Sequence, residues 1–322
     1  MSSDQQLSIR ALGSTGLQVT SLCLGTSPLA SMKGIYGYEV SADRAIETVE
    51  CAIGSAINFI DTSNGYGEDG AAERRIGAAI AAVGLPDNMV LATKVDPDPL
   101  SGNFSGDRVR ASVEESLDRL GIDHIQLLHF HDPERMPFEE AIAAGGPVDA
   151  LVALRDEGLV SHLGVAGGPP ELLQRYLDLE IFEVVLTHNR YTLVDRSAYD
   201  LFQTAHAAGI GTLNAAPYGG GMLAQGPALR PTYAYGLRAD RIALAAAQMA
   251  TLCERAGVPL AAAALQFSMR ASFIDSTVVG VSSPERLQDT LRLAQMEIPD
   301  SLWGQLEECV PRRGFALDEK SS

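Results

Sequence analysis

Basic residues are scarce in this chain. Over 322 residues, 24 Lys and Arg stand against 41 Asp and Glu, a net charge of −17. Binding a polyanion needs a cationic surface, so this deficit argues against nucleic acid or an anionic membrane as partner. It leaves room for an anionic cofactor, because a local pocket of backbone N–H groups and one arginine suffices. Cysteine is equally sparse: Cys23, Cys51, Cys253 and Cys309 lie far apart with no C-x-x-C pairing. That spacing speaks against a disulfide framework or a structural zinc site and suits reduced thiols in a cytoplasmic protein. No run of about 18 consecutive apolar residues occurs, so no membrane span is expected. The opening Met-Ser-Ser-Asp-Gln-Gln has no basic segment leading into an apolar one, the mark of an export signal. A Gly-x-Gly-x-x-Gly turn after the first apolar run is missing too, as is any Pro/Gly/Ser-rich linker.

What the chain has is core. It is 46% hydrophobic with a mean hydropathy of +0.05, and apolar runs alternate with amphipathic stretches eight times. The strand candidates are Leu22–Thr26, Asn58–Thr62, Met89–Val95, Ile125–His131, His162–Ala166, Val184–Asn189, Gly211–Pro217 and Thr277–Val281. Helices are expected near 42–56, 71–82, 107–120, 138–157, 169–178, 195–208, 239–256 and 284–295. Ser41 and Ser283-Pro284 supply start signals for two of them. Eight such units predict an α/β fold, a (β/α)8 TIM barrel over one domain, 1–322. Ile9 to Val19 reads as a hairpin turning at Gly13–Gly16 and capping the N-terminal mouth. Irregular stretches at Asp96–Gly106, Gly219–Arg238 and after Ile298 are expected at or beside the opposite mouth.

Four residues able to handle protons end or follow three of the apolar runs: Asp61 and Tyr66 after the second, Lys94 at the end of the third, His131 at the end of the fourth. C-terminal strand ends are where a parallel barrel carries its catalytic groups. A phenol near pKa 10 is a poor acid or base at neutral pH. A nearby ammonium is expected to lower that pKa, and a carboxylate to hold the lysine in place. His131 is then free to orient a substrate oxygen. Such a group suits hydride transfer at a carbonyl or carbinol carbon.

The same residues resemble the aldo-keto reductase superfamily. Asp61-Thr-Ser-Asn-Gly-Tyr66-Gly, followed by Glu73-Arg-Arg-Ile-Gly77, is similar to its Asp-Thr-Ala-x-x-Tyr-Gly…Glu-x-x-x-Gly signature. Leu91-Ala-Thr-Lys94-Val resembles its lysine segment, and Leu120-Gly-Ile-Asp-His-Ile…His131-Asp-Pro its histidine segment. The likeness runs from the hairpin to about Ala294. It implies a nicotinamide dinucleotide held without a Rossmann domain, with Tyr66 as general acid/base, Lys94 and Asp61 as its partners and His131 as orienting group. Within the superfamily, His131-Asp132-Pro133, Arg190-Tyr191-Thr192-Leu193 and Asn214-Ala-Ala-Pro217 resemble the L-fucose/D-threo-aldose 1-dehydrogenase branch.

The resemblance also implies a cofactor half. Pro217-Tyr218-Gly219-Gly-Gly221-Met-Leu223 is similar to the family's glycine turn after the seventh strand, whose N–H groups approach a pyrophosphate. Gly280, Ser282 and Arg286 lie in the segment similar to the adenosine site. Thr26 and Asp61 are further cofactor candidates, with His188 or Asn189 as candidates for the nicotinamide carboxamide. Departures are informative: Gly280-Val281 stands where many relatives place Lys-Ser on a 2′-phosphate, which tilts NAD or NADP toward NAD. Gly164-Val-Ala166-Gly167 replaces Gly-Val-Ser-Asn, and Ala215 stands where an aromatic residue often stacks on the nicotinamide.

A sugar or other small carbonyl compound is the expected substrate, with a monomer or homodimer as the assembly. The runner-up is an NADPH-dependent aldehyde or ketone reductase. A metal-dependent barrel hydrolase is a third reading: His129 and His131, two apart on one strand, face the same way. It leaves Tyr66 and Lys94 without roles. A barrel that binds nucleotide and regulates a partner is a fourth. Arg190, Asp132 and Tyr218 are candidate sugar contacts. Polar residues of Asp96–Asn103 read either as hydroxyl binders or as a solvated loop, and Trp303 and Phe315 either as a lid over substrate or as residues docked on the barrel.

Overall fold

A computed structural model describes residues 7–311 except 235 and 239. Two short antiparallel strands, β1 (Ile9–Ala11) and β2 (Gln18–Thr20), form the hairpin. Then follow β3 (Leu22–Gly25), β4 (Phe59–Asp61), β5 (Val90–Val95), β6 (Ile125–His131), β7 (Val160–Gly167), β8 (Val184–His188) and β9 (Gly211–Ala215). A ribbon of β10 (Thr232–Tyr233) and β11 (Leu237–Arg238) precedes β12 (Ser276–Gly280). Strands β3 to β9 pair in sequence order, all parallel, and β12 closes the ring between β9 and β3. The (β/α)8 barrel expected from eight alternations is the observed fold.

The strands are apolar runs because both faces are buried. Alternate residues Cys23, Phe59, Val90, Ala92, Leu127, Val184, Leu186, Leu213 and Val278 fill the barrel. Leu22, Leu24, Ile60, Leu91 and Val279 point outward under the helices. Each fully buried Leu or Ile contributes about 1.5–3 kcal/mol. The hairpin plugs the N-terminal mouth, as its position before the first unit predicts. Fully buried Leu12 packs with the barrel interior, and Gly13 N–H donates to Asp275 Oδ2 at 3.1 Å, just before β12.

Both expected caps form: the hydroxyls of Ser41 and Ser283 accept from Arg44 and Arg286 N–H, each at 3.3 Å. Three elements depart from expectation. The helix expected over 138–157 is two, Phe138–Ala141 and Pro147–Asp156, because Gly145 takes φ +75° and Pro147 starts a new helix. A helix at Leu260–Met269 was unforeseen, and it packs on β12 and the helix Pro284–Ala294. The stretch after Ile298 forms the helix Asp300–Glu308 on the barrel's outer side against Asp240–Arg255. At the C-terminal mouth, Asp96–Gly106 borders the main cavity, and the Gly219–Arg238 segment reaches its rim through Arg230, which donates to the Tyr36 carbonyl at 3.1 Å.

Candidate active site

Strand register brings the proton-handling residues to one mouth. Gly25 pairs with Asp61, Lys94 with His129, and His131 with Ala166, so Asp61, Lys94 and His131 share the inward face at the C-terminal ends. Lys94 Nζ lies 2.7 Å from Asp61 Oδ2, donates to the Thr62 carbonyl at 2.6 Å and reaches Tyr66 Oη at 3.3 Å. The ion pair is almost fully buried, with side chains 1% and 4% exposed. A buried pair needs such extra hydrogen bonds to offset its desolvation. The Tyr66 and His131 rings meet edge-on with centroids 5.8 Å apart.

One expectation is reversed. Burial, with the Asp61 charge adding to it, holds the Tyr66 phenol well above its ordinary value. The ammonium beside it is paired with Asp61, which offsets its field at the phenol.

The structure adds Asp96, which the sequence placed in a polar loop. It is 5% exposed. Its Oδ1 sits 2.7 Å from His131 Nδ1, and its Oδ2 accepts from Gly65 N–H at 2.8 Å and from the Ser63 hydroxyl. Ser63 Oγ also lies 3.1 Å from His131 Nδ1. Burial pushes the Asp96 carboxyl up, but His131, Ser63 and Gly65 together bring it far below the usual carboxylate range. Burial opposes charge on His131, yet Asp96 and Asp132 outweigh it and raise the imidazole. A signal for Asp96 was present: it continues the inward alternation, two residues past Lys94.

Glu73 and Gly77 of the signature are scaffold. Glu73, fully buried, accepts from the Thr93 hydroxyl at 2.6 Å and lies 3.4 Å from Arg119. A Cβ on Gly77 would fall 2.0 Å from the Arg119 carbonyl oxygen, so glycine lets two helices touch.

A cavity of about 920 Å³ opens above the four residues. Of the cofactor candidates, Thr26, Asp61, His188 and Gly280 line it. Thr26 is fixed by its hydroxyl, which donates to the Asp61 carbonyl at 3.0 Å. Asn189 lies just beneath, buried, its amide nitrogen 3.1 Å from His188 Nδ1. Pro217, Tyr218, Gly219, Gly221, Ser282 and Arg286 lie outside that cavity's lining, beyond the ends of β9 and β12. Gly219 and Gly221 have φ +58° and +103°, and a Cβ on Gly219 would meet the Tyr233 ring at 2.2 Å. Burial raises the Tyr218 phenol while the Arg286 charge opposes this, so the two are neighbours. Leu223 is fully buried in an apolar cluster with Met222 and Tyr233, a packing position. Buried Asp61 Oδ1 and Asn189 Oδ1 have no hydrogen-bond partner among the described residues. Of the two, Asp61 belongs to the cavity lining, and its free acceptor fits a hydroxyl or amide group of a nicotinamide dinucleotide.

Other candidates separate by position. Asp132 lines the cavity; Arg190 is buried beneath Gly168, whose added Cβ would lie 2.8 Å from Arg190 Nη2, and Tyr218 lies off to one side. Trp303 stacks under the Arg270 guanidinium at 4.4 Å on the outer helices, and Phe315 falls outside the described residues. His129 is fully buried one layer below the site, its ring over Gly164, where a Cβ would meet Nδ1 at 2.2 Å. Burial and the Lys94 charge keep it neutral. Among the described residues, the group with metal-ligand spacing is Asp132, Glu134 and His188, within 4.8 Å of one another, and it includes neither His129 nor His131. No described helix is long and apolar enough to cross a membrane.

Comparison with known proteins agrees with this geometry. The aldo/keto reductase family model matches residues 21–311. The chain is 32% identical to L-galactose dehydrogenase of Arabidopsis thaliana over 292 residues, covering 89% of this chain and 88% of that protein. It is 30% identical to D-threo-aldose 1-dehydrogenase of a Pseudomonas species, covering 92% and 96%. Among solved structures, a holo aldo-keto reductase from Bacillus halodurans superposes with a TM-score of 0.79 at 20% identity, covering 98% of this chain and 100% of that one. The chain therefore belongs to the aldo/keto reductase family and is an NAD(P)-dependent oxidoreductase of carbonyl and alcohol groups.

Proposed function

We propose that this enzyme is an aldose 1-dehydrogenase of the L-fucose/D-threo-aldose kind, acting as one domain over the whole chain, with Asp61, Tyr66, Lys94 and His131 as its proton machinery. The contact of Lys94 Nζ with both Tyr66 Oη, at 3.3 Å, and Asp61, at 2.7 Å, on the cavity floor carries this reading. The rim, with Asp98, Asp132, Arg135, Glu140 and His188, is rich in hydrogen-bonding groups and suits a polyhydroxylated substrate. The two sugar-dehydrogenase relatives support the same substrate class.

Thr26, Asp61, His188 and Asn189 would hold the nicotinamide end, and Gly219, Gly221, Gly280, Ser282 and Arg286 the phosphates and adenosine. When bound, the dinucleotide supplies the acceptor or donor of hydride. In oxidation, Tyr66 Oη must first lose its own proton to solvent through the cavity; the phenolate, steadied by the Lys94 ammonium at 3.3 Å, then takes the hydroxyl proton as the C–H bond breaks, and His131 fixes the oxygen. In reduction, Tyr66 returns that proton. The protonated state of Tyr66 favours one second reading, an NADPH-dependent aldehyde or ketone reductase, since a neutral phenol is already a donor. For the cofactor, Gly280-Val281 in place of Lys-Ser supports NAD, while the exposed Arg286 keeps one cation that would suit a 2′-phosphate.

Tyr66→Phe is expected to lower turnover by roughly 10²–10⁴-fold, the usual worth of positioned acid–base catalysis, while dinucleotide binding persists by fluorescence titration. Turnover near the parent value would remove Tyr66 from the mechanism. A panel of aldoses, aldehydes and ketones, followed by nicotinamide absorbance with NAD and NADP, decides between the two substrate classes and between the cofactors.

A further inference from the structure

Among the described residues, the carboxylate of Asp96 has three donors around it and no lysine or arginine side chain on its oxygens: His131 Nδ1 at 2.7 Å, Gly65 N–H at 2.8 Å, and the Ser63 hydroxyl. Its place is built. A Cβ on Gly65 would lie 2.7 Å from Asp96 Cγ, so a glycine beside Tyr66 is what admits the carboxylate. A carboxylate accepts only, so the imidazole nitrogen facing it carries the hydrogen.

We propose that Asp96 is a positioning residue for the hydride transfer, acting through His131: it takes the Nδ1–H hydrogen bond and so sets which form of Nε2 faces the substrate oxygen. This rests on the reading of His131 as the orienting group. The consequence is chemical. With Nδ1–H held by Asp96, neutral His131 has only a lone pair at Nε2, which competes with Tyr66 for the single hydrogen of a carbinol hydroxyl and repels a carbonyl oxygen. Once protonated, the same ring donates from Nε2 to the substrate oxygen, carbonyl or carbinol, and leaves the hydroxyl hydrogen to Tyr66. The charged ring thus orients the oxygen in both directions, and the carboxylate 2.7 Å from Nδ1 favours that ring. The groups facing it are Asp96 and Lys94 from β5, Ser63 and Tyr66 from the segment after β4, and Asp132, 3.6 Å from Nε2, after its own strand. Asp96 and Asp132 favour the charged ring, and burial and Lys94 oppose it.

Asp96→Asn tests this. Gly65 N–H is a fixed donor, so the new amide turns its oxygen to Gly65 and its NH₂ to His131 Nδ1. The neutral ring must then carry its hydrogen on Nε2. In ¹⁵N-labelled full-length protein at alkaline pH, His131 is expected as the Nδ1–H tautomer in the parent and the Nε2–H tautomer in the variant. Just below the parent's His131 titration, kcat/KM in both directions should fall roughly tenfold, as a neutral donor replaces a charged one. At alkaline pH the neutral ring of the parent has no Nε2–H and that of the variant has, so the alkaline fall set by His131 in the parent should flatten in the variant. Gly65→Ala, which displaces the carboxylate without changing its charge, should loosen the same tautomer preference if Asp96→Asn fails to fold. An unchanged tautomer, or an alkaline limb that stays as steep as the parent's, overturns the proposal. The nitrogen spectra report on Asp96 even if the aldose reading fails, so the two outcomes are separable.

Discussion

Asp96 and His131 tie stability to pH in opposite directions. The folded pKa of Asp96 is lowered, so its contribution is complete above the unfolded value of about 3.9 and is lost as pH falls toward the folded one. The His131 value is raised, so its contribution is complete below about 6.5 and is lost as pH rises through the folded one. Urea unfolding of the parent against Asp96→Asn should therefore show the largest difference between about pH 4 and 6.5, of roughly 3–5 kcal/mol for a broken buried pair. A difference that does not narrow on either side would remove the pair as its source. Asp61, Lys94 and His131 were legible in the sequence because polar residues end apolar runs. Asp96 was passed over, although it continues the inward alternation two residues past Lys94, because Pro97 and Pro99 mark a loop and its burial depends on Gly65, 31 residues away.

Among the elements, strands were the easiest to recognise, since both faces of each are buried and the run itself is the signal. The helix Leu260–Met269 escaped for a related reason. Ala262, Ala263, Ala264, Leu265, Ser268 and Met269 are all buried, so no polar face remains to mark a helical period. By contrast, Asp240–Arg255 keeps an outer face, where Leu244 is 63% exposed. Leu265→Ala should cost about 2–5 kcal/mol by urea denaturation. Leu244→Ala should stay within about 0.5 kcal/mol. Equal costs would show that the inner helix is no more committed to the core than the outer one.

Across the whole molecule, stability and chemistry sit at opposite mouths. Leu12 of the hairpin is fully buried against the barrel's N-terminal end and touches Gly211, while the cavity opens above Asp61 and Lys94. Leu12→Ala should lower the unfolding free energy by about 2–5 kcal/mol and leave KM for substrate and dinucleotide unchanged below the melting range. Thermal unfolding and steady-state kinetics on one preparation check both halves. A large rise in KM with little loss of stability would mean that the hairpin supports the site.

The sequence by itself determined the eightfold alternation, the closed parallel barrel and the location of the proton-handling residues at strand ends. Each of these follows from local periodicity and from where polar residues interrupt it. Tertiary structure decided the rest: that burial raises the Tyr66 phenol, that Asp96 borders the cavity, and that Arg190 packs against Gly168 outside the cavity's lining. Those outcomes depend on burial and on distances of a few ångströms between segments far apart in the chain. Local sequence carries no record of either until the barrel has closed.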